Sequence, residues 1–307
     1  MTAFCHTHSG MKELYKLIPD RYADIISSRL NRSKISEVRI RNTLPVRVCY
    51  GGVYYYLSAN GISTDKQYAL IAGEKEAEGV ILRACEHSLY TIAETLKRGY
   101  IPVGGGIRVG VCGSNVLSGE RTVSVKDFYA VNIRIPHEVI NCAASLYYAV
   151  VANGGIKNTL IISPPGCGKT TVLRDLCRLI SDSGRNVLLC DEKYELASCA
   201  DGAPTLDVGC NTDVVSGADK PHALSLGIAY MRPDVIMTDE LFPEDTDAVL
   251  QAIHSGISVI STVHARDCRD FTEKPEFERL VSSRAFSVFA VLDRTMSLKV
   301  YTGLEAA

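Results

Sequence analysis

The sequence lacks a long hydrophobic run and a strong net charge. No segment of the 307 residues approaches about 18 uninterrupted apolar residues, and residues 1–8 form no apolar signal-peptide core. Neither a membrane span nor a secretory signal is therefore expected. The net charge of −2 excludes binding to polyanions through overall charge and leaves only local basic patches for that purpose. These absences predict a soluble, cytoplasmic protein.

Closely paired cysteines, internal repeats and low-complexity tracts are also lacking. The eleven cysteines include no C-x-x-C pair and no histidine at zinc-site spacing. This pattern argues against a zinc site or a disulfide framework and favours scattered, reduced thiols. The remaining composition, 46% hydrophobic and 22% charged, is that of an ordinary globular protein.

The chain is long enough for about two domains, and its patterning changes near residue 137. Residues 1–136 combine short helical patterns with alternating strands around Gly51-Gly52, which predicts a small α+β domain. Residues 137–307 alternate short apolar strands with helices, which predicts an α/β domain whose mainly parallel sheet binds ligands at the carboxyl ends of its strands. The predicted strands are 159–162, 187–190, 235–238, 258–262, 285–292 and 295–301, and the predicted helices are 74–97, 139–153, 169–182, 220–231 and 243–254.

A glycine-rich loop separates the first of these parallel strands from a helix. Gly166 and Gly168 carry no Cβ, so backbone N–H groups around them can converge on phosphate oxygens at the helix N-terminus. Lys169 can reach the β- and γ-phosphates, and the Thr170 hydroxyl can ligate Mg²⁺. The pattern G-x-x-x-x-G-K-[ST] is met except for its first glycine, which is Ser163. The expected ligands are ATP and Mg²⁺, and the expected nucleotide-binding residues are Pro165, Gly166, Cys167, Gly168, Lys169, Thr170 and Thr171.

Polar residues follow three further predicted strands, at the edge where parallel strands place their ligands. Asp239 is expected to hold Mg²⁺ through water, and Glu240 beside it can polarise the attacking water. Residues 191–195 offer three carboxylates, which either order water and act as general base or form a solvated acidic turn. In the strand predicted over 258–262, Thr262 is expected at the strand end, where its hydroxyl could sense the γ-phosphate. His264 follows this strand directly and has either a functional or a structural role.

The order of these segments resembles the secretion ATPase superfamily, which includes type II and type IV secretion motors and pilus-retraction motors. In that superfamily an acidic box lies between the Walker A and Walker B segments, and a histidine box of the form S-T-x-H-A follows, here residues 261–265. The resemblance implies a RecA-like P-loop NTPase core, ATP hydrolysis and assembly as a ring, expected to be a hexamer. It favours Glu195 over Glu240 as the general base. Departures from the pattern are Ser163, Lys193 in place of a common arginine, and the segment from 241 onward.

A closer resemblance, over about residues 30–300, is to the stage III sporulation AA family. It is carried by segments 84–90, 105–110, 131–136 and 206–213. This resemblance implies a motor that energises the assembly or operation of a trans-envelope channel during sporulation. It also implies recruitment to the membrane by a membrane-anchored partner resembling stage III sporulation protein AB.

Arginines that stabilise the γ-phosphate are expected to come from the first domain. Arg174 and Arg178 belong to the helix after the phosphate loop, and Arg232 lies at the amino end of its strand. Arg108 and Arg134, by contrast, lie on facing strands of the first domain and match positions where secretion ATPases keep arginines that reach the nucleotide. Ordinary alternation on a solvated strand face is the other interpretation of this pair.

Three other function classes stay open. A nucleic-acid motor would need a basic groove, and the one loose basic cluster of the first domain has no interleaved aromatic tract, so nucleic acid is not expected. That cluster is Arg39, Arg41, Arg47, Lys97 and Arg98. A small-molecule kinase would need an arginine-bearing lid, whereas the chain after Glu240 continues into the histidine box. The sequence does not distinguish a motor from an ATP-binding switch with slow turnover.

Overall fold

The computed structural model describes residues 9–85, 99–118, 121–136, 138–152, 154–199 and 202–304. The chain divides into two compact units, Met1–His137 and Glu138–Ala307. Within the described residues, no helix is both long enough and apolar enough to span a membrane. The ten cysteines that are described there are all free thiols.

In the part of the first unit that the structure describes, three helices pack against a seven-stranded antiparallel sheet. Its strands lie in the order β4-β3-β2-β1-β7-β6-β5. The helices are α1 (Ser9–Leu17), α2 (Asp20–Arg29) and α3 (Glu76–Ala84). The strands are β1 (Ile35–Arg41), β2 (Arg47–Tyr50), β3 (Val53–Ser58), β4 (Gly61–Ser63), β5 (Tyr100–Val103), β6 (Ile107–Ser118) and β7 (Arg121–Arg134).

Local sequence accounts for much of this unit. In β1, Val38 and Ile40 are buried in the core while Arg39 between them is partly exposed, as strand alternation requires. The predicted turn between β2 and β3 is formed by Gly51 and Gly52, whose φ angles of 59° and 83° suit a two-residue hairpin loop. The helix predicted over 74–97 is present as α3; residues 86–97 of that prediction, and Arg98 after them, lie outside the described residues.

The second unit contains a seven-stranded sheet in the order β12-β11-β13-β14-β10-β15-β16, in which every pair is parallel except β15 with β16. A separate hairpin is formed by β8 and β9. The strands are β8 (Val151–Ala152), β9 (Gly155–Ile156), β10 (Thr159–Ser163), β11 (Val187–Asp191), β12 (Thr212–Ser216), β13 (Val235–Glu240), β14 (Ser258–His264), β15 (Val288–Leu292) and β16 (Leu298–Thr302). The helices are α4 (Ala144–Val150), α5 (Lys169–Asp182), α6 (Lys220–Leu226), α7 (Thr246–His254), α8 (Cys268–Thr272) and α9 (Glu278–Ser282).

The central strands of this sheet are buried on both faces, as expected for a parallel sheet covered by helices. All five residues of β10 are buried. Its side chains alternate between two cores: Ile161 lies in the core with α5, and Leu160 and Ile162 lie in the core with α7. The predicted α/β class with a mainly parallel sheet, preceded by a smaller α+β unit, is confirmed.

Two predicted helices are shorter than expected. The helix predicted over 139–153 is present as α4, preceded by a loop that the Asp175 carboxylate holds by accepting the N–H groups of Asn141 and Ala143. In the helix predicted over 220–231, the α-helical part ends at Leu226, and residues 227–231 form one π-helical turn. In that turn a Cβ on Gly227 would lie 2.6 Å from Leu188, so the close helix–sheet approach requires glycine.

Candidate functional site

The carboxyl ends of three adjacent parallel strands bring the predicted site residues together. β14 lies between the phosphate-loop strand β10 and the Asp239-bearing strand β13. Ser163 at the end of β10 pairs in register with His264 at the end of β14. Glu240 at the end of β13 pairs with Thr262, which is buried two residues inside β14. The histidine, and not Thr262, therefore occupies the strand end, which corrects the expected position of Thr262.

The phosphate loop has the backbone that its glycines predict. Gly166 and Gly168 have φ angles of 77° and 92°, in the left-handed region that side chains with a Cβ rarely adopt. Gly168 is the residue directly before α5, so the loop feeds into that helix N-terminus. Ser163, at the position of the usual glycine, is not among the residues with positive φ, which explains why serine is tolerated there.

The Lys169 side chain is folded into the loop. Its Nζ donates to the carbonyl oxygen of Ser163 at 3.1 Å and lies 2.7 Å from Nδ1 of His264. Burial lowers the pKa of Lys169 to about 8, although the nearby Glu240 carboxylate acts in the opposite direction and raises it. Where the Lys169 ammonium donates to Nδ1, the ring proton of His264 lies on Nε2, the nitrogen that faces Glu240.

A chain of polar contacts continues from His264 along the strand ends. His264 Nε2 lies 3.2 Å from Oε1 of Glu240, and the other Glu240 oxygen lies 3.2 Å from Nζ of Lys193. Lys169, His264, Glu240 and Lys193 thus form one continuous network. It links the phosphate loop, the histidine box and the acidic box.

The acidic box is a loop held by hydrogen bonds, and its three carboxylates have different roles. Asp191 is fully buried and accepts four backbone N–H groups, from Glu195, Leu196, Ala197 and Ser198, at 2.7–3.0 Å. Glu192 pairs with Lys220 at 3.0 Å. Asp191 fits neither of the two alternatives stated from the sequence, because it is buried and its oxygens are committed to shaping the loop.

The loop is also held from α5 by a residue whose part in the site the sequence did not reveal. Arg174 is buried and donates to the carbonyl oxygens of Glu195 and Leu196, at 2.6 and 2.7 Å. Two residues of the loop, Tyr194 and Ser198, adopt positive φ angles of 57° and 48°, a cost that these clamps offset. Burial lowers the pKa of Lys169, and the Glu195 carboxylate is one of the charges that oppose this and raise it.

Asp239 lies in a setting that suits Mg²⁺. Both of its carboxylate oxygens are buried without a hydrogen-bond partner, and its nearest cation is Lys220 Nζ at 3.5 Å. Burial raises the pKa of Asp239 to about 7, although the ammonium of Lys220 lowers it. No group of three or more His, Cys, Asp or Glu suited to a metal occurs in the described ranges. Asp239 and the Thr170 hydroxyl would hold the ion.

Arg108 and Arg134 lie in the first unit, on the neighbouring strands β6 and β7. They are directly opposite each other in the register. The Arg108 guanidinium stacks 5.0 Å from the centroid of the Tyr100 ring, and Arg134 is exposed. Two like charges opposite each other disfavour strand pairing, but Glu37 of β1 lies opposite Arg134 on its other side and supplies a carboxylate neighbour.

The phosphate loop, the acidic strand ends and the histidine on a mainly parallel sheet define a P-loop protein with a RecA-like core. Solved structures share the fold. The pilus retraction motor PilT, solved with bound ADP, matches with a TM-score of 0.57 and 16% identity over 87% of this chain and 76% of that one. The Legionella pneumophila ATPase DotB matches with a TM-score of 0.53 and 14% identity over 92% of this chain and 78% of that one.

The chain belongs to the family described as sporulation stage III, protein AA, whose sequence profile matches residues 10–304. The stage III sporulation protein AA of Bacillus subtilis (strain 168) is 35% identical over 292 residues, which are 92% of this chain and 91% of that protein. The resemblance stated from the sequence is confirmed.

Proposed function

We propose that this protein hydrolyses ATP with Mg²⁺ and works as a motor of the secretion-ATPase type. The observation that carries the proposal is the continuous network from Lys169 through His264 to Glu240. It joins a phosphate-binding lysine to a carboxylate beside the metal-binding position. Family membership and a fold shared with PilT and DotB support the same conclusion.

Each residue of the site has a role in this proposal. The loop N–H groups and Lys169 bind the phosphates. When bound at Thr170 and Asp239, Mg²⁺ would neutralise charge on the β- and γ-phosphates. Glu195 accepts the proton of the attacking water, and Glu240 supports the metal side and orients His264. When phosphate binds to the loop, the contact between His264 and Lys169 is lost. The resulting movement of His264 transmits nucleotide binding to β13.

The relatives support a proposal for the cellular role. The B. subtilis relative is named for stage III of sporulation, and the structural relatives include a pilus retraction motor. We place this chain in the same setting, as a homo-oligomeric ring, expected to be a hexamer, that energises a trans-envelope channel. A membrane-anchored partner of the stage III sporulation AB type would hold it at the membrane from the cytoplasm.

The purified protein should release phosphate from ATP when Mg²⁺ is present and not when it is chelated. A rate per subunit that rises with protein concentration, together with a native mass several times that of the chain, would support the ring. The expected stimulation comes from the membrane partner and not from nucleic acid. Nucleotide binding without any hydrolysis at any protein concentration would instead favour a regulatory switch.

Replacement of Arg108 or Arg134 by alanine should cut hydrolysis at least about tenfold while ADP affinity stays near wild type. A guanidinium that acts on the γ-phosphate contributes mainly in the transition state, so turnover falls and ground-state affinity does not. The measurements are steady-state ATP hydrolysis and ADP titration, with Arg41→Ala, on the same sheet of the first unit, as the matched control. Unchanged turnover in both variants would show that these arginines form only a solvated strand face.

A further inference from the structure

Lys220 is a buried lysine in the midst of the acidic groups. Its side chain is 1% exposed. Its Nζ lies 3.0 Å from Glu192, 3.5 Å from Asp239 and 3.5 Å from Asp245. The ammonium also lies 4.8 Å from the centroid of the Phe242 ring, within cation–π range. Burial of a lysine is costly unless anionic partners surround it, and these contacts supply them.

The position of Lys220 in its helix does not explain why this residue is a lysine. Lys220 is the first residue of α6, where a positive charge lies in an unfavourable field. The helix is instead capped by Asp219, whose side chain accepts the N–H of His222 at 2.9 Å. The reason for a lysine at this position lies in the groups that its ammonium contacts.

Those contacts join three segments that the proposed chemistry uses. Glu192 belongs to the acidic box, Asp239 is the penultimate residue of β13, and Asp245 lies in the turn before α7, where it also accepts the N–H of Phe242. Because no hydrogen bond holds the Asp239 oxygens, the ammonium is the nearest fixed partner that this carboxylate has in the described part of the chain. The cluster of one ammonium and three carboxylates has a net charge of −2, which a divalent cation would cancel.

We infer that Lys220 is a positioning residue for Mg²⁺: its ammonium holds the Asp239 carboxylate in place for the metal and ties that carboxylate to the acidic box through Glu192. This inference rests on the proposed function, because it assigns Asp239 to a metal that accompanies the nucleotide. Without the ammonium, the carboxylates of Glu192, Asp239 and Asp245 repel one another, and Asp239 leaves the position from which it can meet the metal.

The test is the ratio of ADP affinities measured with excess Mg²⁺ and with excess EDTA. In Lys220→Met, which keeps much of the side-chain volume without the charge, we expect the Mg²⁺-dependent gain in affinity to fall about tenfold or more. Affinity for metal-free ADP should change by less than about threefold, because the phosphate loop is intact. Lys220→Arg should recover part of the gain. A role confined to folding would lower the melting temperature and leave the ratio unchanged.

If Lys220→Met folds poorly, a double variant with the same net charge as the wild-type cluster can be tested in its place. Lys220→Met with Glu192→Gln leaves two carboxylates and the wild-type net charge of −2, but no cation on Asp239. We expect its Mg²⁺-dependent gain to stay low. A wild-type ratio in the single or the double variant would overturn the role of Lys220. Failure of the wild-type protein to bind ADP with Mg²⁺ at all would instead contradict the proposed function.

Discussion

Replacement of Lys169 by alanine should abolish most ATP binding and reduce hydrolysis to background. The Lys169 ammonium is the one cation of the phosphate loop, and it lies within the loop at the carbonyl oxygen of Ser163. A hydrogen bond between charged groups contributes roughly 1.5–3 kcal/mol, so affinity for ATP should fall by about 10–100-fold. Turnover should fall further, since the γ-phosphate gains charge in the transition state. Nucleotide titration and a phosphate-release assay measure the two effects.

The matched control for this variant is Lys157→Ala. Lys157 is a half-buried lysine of the same unit, but it precedes β10 and therefore lies at the amino edge of the sheet. Its variant should bind and hydrolyse ATP as the wild type does. Wild-type affinity and turnover in Lys169→Ala would contradict the assignment of the phosphate loop. Equal thermal unfolding of both variants would confirm that the loss does not come from the fold.

The parts of the fold that could be predicted from the sequence are those set by local chemistry. The helix predicted over 169–182 has those bounds, because a glycine with positive φ precedes it and its apolar positions recur at helical spacing. The strands β10, β11, β13 and β14 were predicted from short apolar runs, which parallel sheets require. The expected phosphate loop followed from the glycine, lysine and threonine pattern of residues 163–171 together with the strand–loop–helix order.

The parts that could not be predicted depend on long-range contacts. Asp191 resembles Glu192 and Glu195 in sequence, and only the folded loop shows that its oxygens are taken by four N–H groups. Lys220 lies in a helical pattern with no motif around it, and its partners are separated from it by 19 to 28 residues. The strand β12 was missed because it is short and its residues are mostly half-buried. In each case the contacts made in the folded protein, and not the spacing of residues along the sequence, determine the structural role.

The two glutamates that compete for the role of general base have different surroundings. Both oxygens of Glu240 are already engaged, by His264 Nε2 and by Lys193 Nζ, each at 3.2 Å. Glu195 lies in a loop that is fixed on both sides of this residue: its N–H is held by Asp191 and its carbonyl oxygen by Arg174. A base must be positioned before its carboxylate can take a proton from water, and this loop supplies that rigidity.

Glu195→Gln should therefore bind ATP normally and hydrolyse it roughly 10²–10⁴-fold more slowly, since the amide keeps the shape and cannot accept the proton. Glu240→Gln should lose about tenfold and should also shift the Mg²⁺ dependence, because its charge acts on Lys169 and beside Asp239. Single-turnover hydrolysis and ATP affinity distinguish the two, with the exposed Glu276→Gln as control. If Glu195→Gln hydrolyses ATP at the wild-type rate while Glu240→Gln does not, the base is Glu240, and the clamped acidic box serves only to hold Lys220 and Lys193 in place.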